Sequence, residues 1–377
     1  MAVFIAFFLL LMFLYGVVIE RYRKGWNRIP VIDYTLHEPH TFVSVIIAAR
    51  NEAGNISRLM LSLQKQEYPT ELFEIIIAED DSEDETYSLL QSYSAISNLK
   101  VISLLQNELK TGHKKHAIET AIKAAKGTLI ITTDADCTFP ARWLSTMVAA
   151  YENSGAKMIA APVKFEGTHS FLFLFQVLDF FSLQGITGAA VYNQYHILCN
   201  GANLAYEKKI FEEVKGFEGV NDIASGDDML LMEKIWTKYP GKVSYLKSND
   251  AIVSTIPPQT WKGFMNQRIR WAGKTAHYEN KRILRIMLLV YALNISFLVL
   301  LIMSFWMNLG LFFLLLFLLA KIVIEFPFIQ SVASFFNQSY TLKYFPLLQP
   351  IHILYTILTG FLARFSGFEW KGRVLKK

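Results

Sequence analysis

The chain has 377 residues, 53% of them hydrophobic and 18% charged, with a formal net charge of +5. That length allows one large domain plus a membrane module, and the apolar excess excludes an ordinary soluble enzyme. Two cysteines, Cys137 and Cys199, lie far apart without CxxC spacing, which excludes a disulfide framework and a cysteine-rich metal site and fits a reducing compartment. The basic residues gather beside apolar segments, at Arg21, Arg23, Lys24 and Arg28, at Lys281, Arg282 and Arg285, and at Lys371, Arg373, Lys376 and Lys377. They read as membrane-flanking anchors, so a membrane is expected as a partner and no nucleic acid is.

Met1 to Ile19 carry no charge. A span needs about 20 apolar residues. The segment lacks the positive start and small-x-small site of a cleaved signal peptide. Residues 1–19 are therefore expected to be an uncleaved anchor. The basic cluster that follows puts the next domain in the cytosol and the N-terminus outside.

Residues 40–275 read as a globular domain. Phe42–Ala48, Ile75–Ala78 and Leu129–Thr132 are short β-branched runs, and helical stretches lie near 54–66, 84–96 and 113–126. Continuous apolar strands alternating with helices predict a buried parallel sheet. Ligands of such sheets bind at the carboxyl ends of the strands. Arg50-Asn51-Glu52 follows the first strand, Glu79-Asp80-Asp81-Ser82-Glu83-Asp84 the second, and Asp134-Ala135-Asp136 the third. Ser82 and Asp84 also suit helix capping. Two carboxylate-rich clusters on one sheet edge repel each other unless a cation lies between them. Mg²⁺ with a diphosphate is a natural answer, since it takes one or two carboxylates plus phosphate oxygens.

Phe171–Val191 is apolar but interrupted by Asp179, Gln184 and Gly185. It is expected to lie in the membrane interface, with a buried core helix as the alternative. Ile286–Ala320 is uncharged and long enough for two helices, broken near Asn308–Gly310. A weaker apolar stretch, Phe345–Ala363, contains Pro346, Pro350 and His352. Residues 283–366 thus form a C-terminal set of transmembrane or interfacial helices, and 367–377 a basic tail. Three full spans after a cytosolic domain put that tail outside, against the positive-inside tendency, so one segment is expected to be re-entrant or interfacial; which one stays open.

From Phe42 to Trp271 the motifs resemble, in order, those of the family 2 glycosyltransferases, the inverting enzymes that include cellulose, chitin and hyaluronan synthases. The resemblance implies a Rossmann-like α/β nucleotide-sugar-binding domain of the GT-A type beside α-helical transmembrane segments. Ser44–Glu52 looks like the family's opening strand, which implies donor contacts for Arg50 and Glu52. Glu74–Asp80 looks like its second strand, which implies that Asp80 holds the base or ribose; Asp81 stands where the family usually has Gly. Thr111-Gly-His-Lys114-Lys115-His-Ala117 resembles the Gly-Lys element and implies a donor contact for Lys114, although His113 stands where Gly is common. Asp134-Ala-Asp136 matches the DxD metal motif, with Asp136 as the ligand of Mg²⁺ or Mn²⁺ and Asp134 a nucleotide or supporting contact.

Cys199-Asn-Gly-Ala-Asn-Leu-Ala-Tyr206 resembles the segment lining the acceptor side, with Asn200 and Gly201 at the sugar. Ser225-Gly-Asp-Asp228 looks like the acid motif, which implies Asp228 as general base and Asp227 as its support; the same residues suit a helix N-cap. Gln267-Arg268-Ile269-Arg270-Trp271 reproduces the QxxRW motif of the membrane-bound members. On a helix Gln267, Arg270 and Trp271 share one face, where Arg270 can pair with diphosphate oxygens and Trp271 can pack on a sugar ring.

The expected function is therefore a metal-dependent hexosyltransferase of the inner membrane with a cytosolic catalytic domain. Its donor is a nucleotide-sugar, a UDP-sugar ahead of a GDP-sugar, and its acceptor a lipid, lipid-linked glycan or glycan. The alternatives are a processive polysaccharide synthase and an inactive nucleotide-sugar-binding relative. A nucleotidyltransferase has no reason to carry QxxRW before paired apolar segments. A transporter needs polar residues inside its spans, and these segments appear in the sequence almost free of charge.

Overall fold

The computed structural model describes residues 2–33, 38–104, 113–221, 226–273, 280–306, 309–365, 368–370 and 373–375. Thr111, Gly112, Ser225, Asn308 and much of the basic tail lie outside the described residues. The chain runs α1 (Ala2–Arg28), β1 (Val43–Ala49), α2 (Ala53–Gln64), β2 (Phe73–Glu79), α3 (Thr86–Ser92), β3 (Leu99–Ser103), α4 (His113–Ala124), β4 (Leu129–Asp134), α5 (Trp143–Ser154), β5 (Met158–Ala160) and β6 (Val163–Phe165). There follow α6 (Phe171–Tyr192), β7 (Leu204–Glu207), α7 (Lys208–Glu213), α8 (Asp227–Lys238), β8 (Val243–Tyr245), β9 (Val253–Thr255), α9 (Trp261–Gly273), α10 (Lys281–Met303), α11 (Gly310–Phe335) and α12 (Phe345–Phe365).

These elements form two compact units. The α/β unit takes residues 30–166 and 197–256, with the last few residues of the chain. Its main sheet has the order β3-β2-β1-β4-β7-β5-β8. β1, β2 and β4 pair in parallel, and their apolar runs are buried on both faces, as a sheet covered by helices requires. The sheet is mixed, however, not wholly parallel. β7 runs antiparallel to both β4 and β5. It is only four residues long, too short for its direction to be read from an apolar pattern. The helix expected over 84–96 shortens to α3, because Asp84 turns back: its Oδ1 accepts the Thr86 N–H at 3.0 Å and its Oδ2 accepts the Ala53 N–H at 3.1 Å.

The helical unit takes residues 1–29, 167–196 and 257–368. Five of its helices are long and apolar enough to cross a membrane: α1, α6, α10, α11, and α12 with the short turn before it. α1 continues past Ile19 through the basic residues, and Arg23 Nε donates to Glu20 Oε2 at 2.6 Å within it. Many outward residues are large and apolar, among them Val3, Phe13, Phe305, Trp306 and Leu347, a surface suited to lipid rather than water.

Two expectations change here. α6 packs against α1, α11 and α12 and is buried around most of its circumference, from Leu172 to Val191. An interfacial helix needs one open apolar face, and α6 has none, so it is a core helix of this unit. Nor are the helices free of charge. Lys321 and Glu325, one turn apart on α11, are both buried. Lys321 Nζ donates to Glu325 Oε1 at 2.5 Å and to Gln349 Oε1 at 2.7 Å, Gln349 Nε2 donates to Glu325 Oε2 at 2.7 Å, and the Tyr15 hydroxyl also donates to Glu325. The four side chains satisfy one another, as burial away from water demands.

Candidate active site

Strand direction gathers the candidate residues of the α/β unit at one edge. β1, β2 and β4 run parallel, so the residues that follow them emerge together. β7 pairs Leu204 with Thr132 and Glu207 with Leu129, so it begins where β4 ends. The loop before it, carrying Asn200 and Gly201, therefore reaches the same edge as Asp134.

On one side stand the residues after β1 and β2. Arg50 is buried; its guanidinium donates to the Asp80 carbonyl at 2.8 Å, to the Asp81 carbonyl, and to Glu83 Oε1 at 2.7 Å. It thus holds the turn after β2 in shape. Asp81 has φ of +52°, the left-handed conformation that glycine adopts without cost. Asp80 is buried with Oδ1 3.9 Å from His113 Nδ1, at the start of α4. Glu52 is buried at the entry to α2, where its backbone N–H donates to Thr86 Oγ1 at 2.7 Å and its carboxylate accepts from Asn55 at 2.7 Å.

On the other side lies an acid cluster around one cation. Lys114 Nζ donates to Asp134 Oδ1 at 2.7 Å and lies 3.4 Å from Asp227 Oδ2. Burial opposes its charge, but Asp134 and Asp227, then Asp228, outweigh that and hold the ammonium above the usual lysine range. Gly226 has φ of +88°, a left-handed turn that sets Asp227 and Asp228 in the first turn of α8. Asp228 Oδ2 accepts the Gly201 N–H at 3.1 Å and Oδ1 accepts the Met229 N–H at 2.8 Å. A Cβ on Gly201 would meet Asp228 Cβ at 3.4 Å and Asp227 Oδ2 at 3.6 Å, so the loop lies beside the acid pair at ordinary contact distance. Asn200 caps its own turn, its Oδ1 accepting the Ala202 N–H at 3.0 Å.

The contacts thus join Lys114, Asp134, Asp227, Asp228 and Gly201, and separately Arg50, Asp80 and His113. Gln267, Arg270 and Trp271 lie on α9 in the helical unit. Asp136 follows Asp134 by two residues, with the Cys137 thiol 3.5 Å from its Oδ1. Tyr206, to which the motifs give no role, also faces the acids: burial, and then the Asp227 carboxylate, push its phenol well above the usual range. His113 stands where glycine is common, and it faces Asp80.

Among the described residues no three His, Cys, Asp or Glu side chains converge to hold a metal by themselves. The chain's donors are hard carboxylate oxygens, and Asp134 already shares an oxygen with Lys114. They fit a Mg²⁺ or Mn²⁺ that takes one or two protein carboxylates and completes its shell with phosphate oxygens. They do not fit a cation held by protein alone.

Residues 44–214 match the model of glycosyl transferase family 2. Glycosyltransferase AglE of Haloferax volcanii is 26% identical over 205 residues, which is 54% of this chain and 62% of that protein. The β-monoglucosyldiacylglycerol synthase of Trichormus variabilis is 31% identical over 112 residues, 29% of this chain and 24% of that one. The chain thus spans under two thirds of the length of the curated relatives it matches. Among solved structures, the mannosyltransferase PcManGT of Pyrobaculum calidifontis, in complex with GDP-Man and Mn²⁺, superposes with a TM-score of 0.60 at 20% identity, over 93% of this chain and 97% of that one. At that identity the likeness shows the fold, a GT-A-like α/β domain.

Proposed function

We propose, from a chain that carries a glycosyl transferase family 2 domain over residues 44–214, that it is a membrane-bound inverting glycosyltransferase. It moves a hexose from a nucleoside-diphosphate sugar to a lipid, lipid-linked or glycan acceptor, with the α/β unit in the cytosol. The observation that carries the reading is the acid cluster around Lys114, closed by the Gly201 N–H on Asp228. The relatives' names support the acceptor class: one is a synthase of a glucosyl diacylglycerol.

Asp228 is the general base. The N–H groups of Gly201 and Met229 fix the carboxylate plane that takes the acceptor's hydroxyl proton. The freed oxygen attacks the anomeric carbon. The bond from that carbon to the diphosphate breaks on the opposite face, the electron pair leaves with the nucleoside diphosphate, and the configuration inverts. Asp227 keeps Lys114 beside the reacting region. Lys114 offers its ammonium to the departing phosphates. For Arg270 a diphosphate contact, and for Trp271 and Gln267 a sugar contact, are what the QxxRW motif implies. Asp80, with Arg50 and Glu52 shaping the floor, holds the base or ribose; Asn200 and Gly201 line the acceptor side. Asp136, with Asp134 beside it, would hold Mg²⁺ or Mn²⁺. When bound, that ion supplies charge to neutralise the diphosphate as it leaves.

The test is nucleoside diphosphate release by purified protein in lipid, over a panel of UDP- and GDP-sugars with mixed lipid acceptors. Asp228→Asn is expected to lose about 10²–10⁴ in rate, the usual worth of a general base. Asp136→Ala is expected to lose turnover and its dependence on added Mn²⁺. Near-normal turnover by folded Asp228→Asn would remove that residue from the role, and no binding of any nucleotide-sugar would end the reading.

A further inference from the structure

In Gln267-Arg268-Ile269-Arg270-Trp271 the second residue carries no role, yet it is the most connected of the five among the contacts described. Arg268 is 4% exposed, on α9. Its Nε donates to Asp179 Oδ2 at 2.9 Å, and Nη2 lies 2.7 Å from the same oxygen. Its Nη1 donates to Gln267 Oε1 at 2.6 Å. Its guanidinium lies 4.3 Å from the centre of the Trp271 ring and 4.8 Å from that of Phe264. One side chain therefore touches the first and last members of the motif and ties both to α6.

Asp179 is built to receive it. It is 5% exposed, and its other oxygen accepts the Tyr355 hydroxyl at 2.7 Å, with His352 Nε2 at 3.6 Å. One turn earlier on α6, Gln176 Nε2 donates to the Pro258 carbonyl at 2.9 Å, just before α9 begins. α6 thus grips α9 at both its approach and its motif. A buried ion pair is a poor way to gain stability, because desolvation offsets much of the attraction. A planar fork that serves a carboxylate, an amide and an aromatic face together is a good way to fix orientation, and lysine cannot reproduce it.

We propose that Asp179 and Arg268 are positioning residues that set the orientation of Gln267 and Trp271 on α9. The consequence for catalysis rests on the glycosyltransferase reading above; the orientation itself does not. The full chain in lipid nanodiscs is compared with Arg268→Lys and Asp179→Asn, with Asp179→Glu as the conservative variant. The Trp271 contribution to fluorescence is obtained by subtracting the matching Trp271→Phe protein in each background, and its quenching by acrylamide is measured. Both Arg268→Lys and Asp179→Asn are expected to raise the quenching of that contribution, and Asp179→Glu to bring it back towards the parent value. In turnover, nucleoside diphosphate release is expected to fall about 10²-fold in kcat, the scale of an ångström-sized misplacement, with a smaller change in donor KM.

An unchanged Trp271 contribution in folded Arg268→Lys and Asp179→Asn overturns the proposal, whatever the activity does. Collapse of both variants into aggregated protein overturns it in favour of a purely structural pair. A changed Trp271 contribution in a parent protein that turns over no donor upholds the positioning and sinks the enzyme reading instead.

Discussion

At the scale of single residues, the turn after β2 shows how one conformation can be met by an unexpected side chain. Asp81 is exposed, sits at φ of +52° and contributes its carbonyl to Arg50. A left-handed conformation costs an L-residue roughly 1–2 kcal/mol, though Asp bears it better than most. Asp81→Gly is therefore expected to raise the melting temperature, read by thermal unfolding in detergent, with nucleotide binding kept; a lower one would mean the carboxylate itself stabilises the turn. The acids are visible in the sequence: Asp80 follows a strand, Asp134 ends one, and Asp227 and Asp228 open a helix, where a carboxylate meets a ligand or caps the helix. The sequence does not show what they touch. The link from Lys114 to Asp227 joins residues more than a hundred positions apart, and no local pattern encodes such a partner. Arg268 is hidden for the opposite reason: the motif is legible, and its spacing points to the residues on either side.

Between elements, direction and burial decided what periodicity left open. β1, β2 and β4 were readable because strands buried on both faces are continuously apolar. β7 was not, since four residues carry no register of their own and its direction is fixed by its neighbours. In the helical unit, hydropathy located the helices but said nothing of which faces meet. That is why α6 reads as interfacial from its sequence, and why an uncharged run ending at Ala320 gives no sign that Lys321 and Glu325 continue the same helix. Their network makes a direct prediction. Lys321→Met leaves Glu325 buried without its cation and is expected to cost about 3–5 kcal/mol, as removal of one partner of a buried pair does. Lys321→Met combined with Glu325→Gln is expected to recover part of it. Thermal unfolding of the single and double variants in nanodiscs measures both, and a double variant no more stable than the single one would mean that the pair is not coupled.

For the whole molecule, five helices of 21 residues or more are long and apolar enough to cross a membrane, which predicts a protein that stays in the lipid. Alkaline carbonate and high salt are expected to leave it in the pellet of a membrane preparation, and detergent to release it. Release by carbonate would make the helices peripheral and undo the membrane assignment. The same arrangement makes excision difficult. A piece cut from residues 30 to 256 still contains α6, stripped of α1 and α11, which cover it in the intact chain. Such a piece is expected to aggregate without detergent.

The order of elements along the chain also constrains how the protein is made. β7 stands in the middle of the main sheet, between β4 and β5, yet it is translated after α6. When the ribosome has finished β6, the strands β3, β2, β1 and β4 can already assemble, but β5 has nothing to pair with. Only once the 22 residues of α6 have emerged can β7 enter and bridge the two halves. Closure of the sheet therefore waits on the fate of a greasy helix in mid-chain. A nascent chain that fails to settle α6 is left with an open gap of unpaired strand edges, the species a quality-control protease or chaperone would meet first.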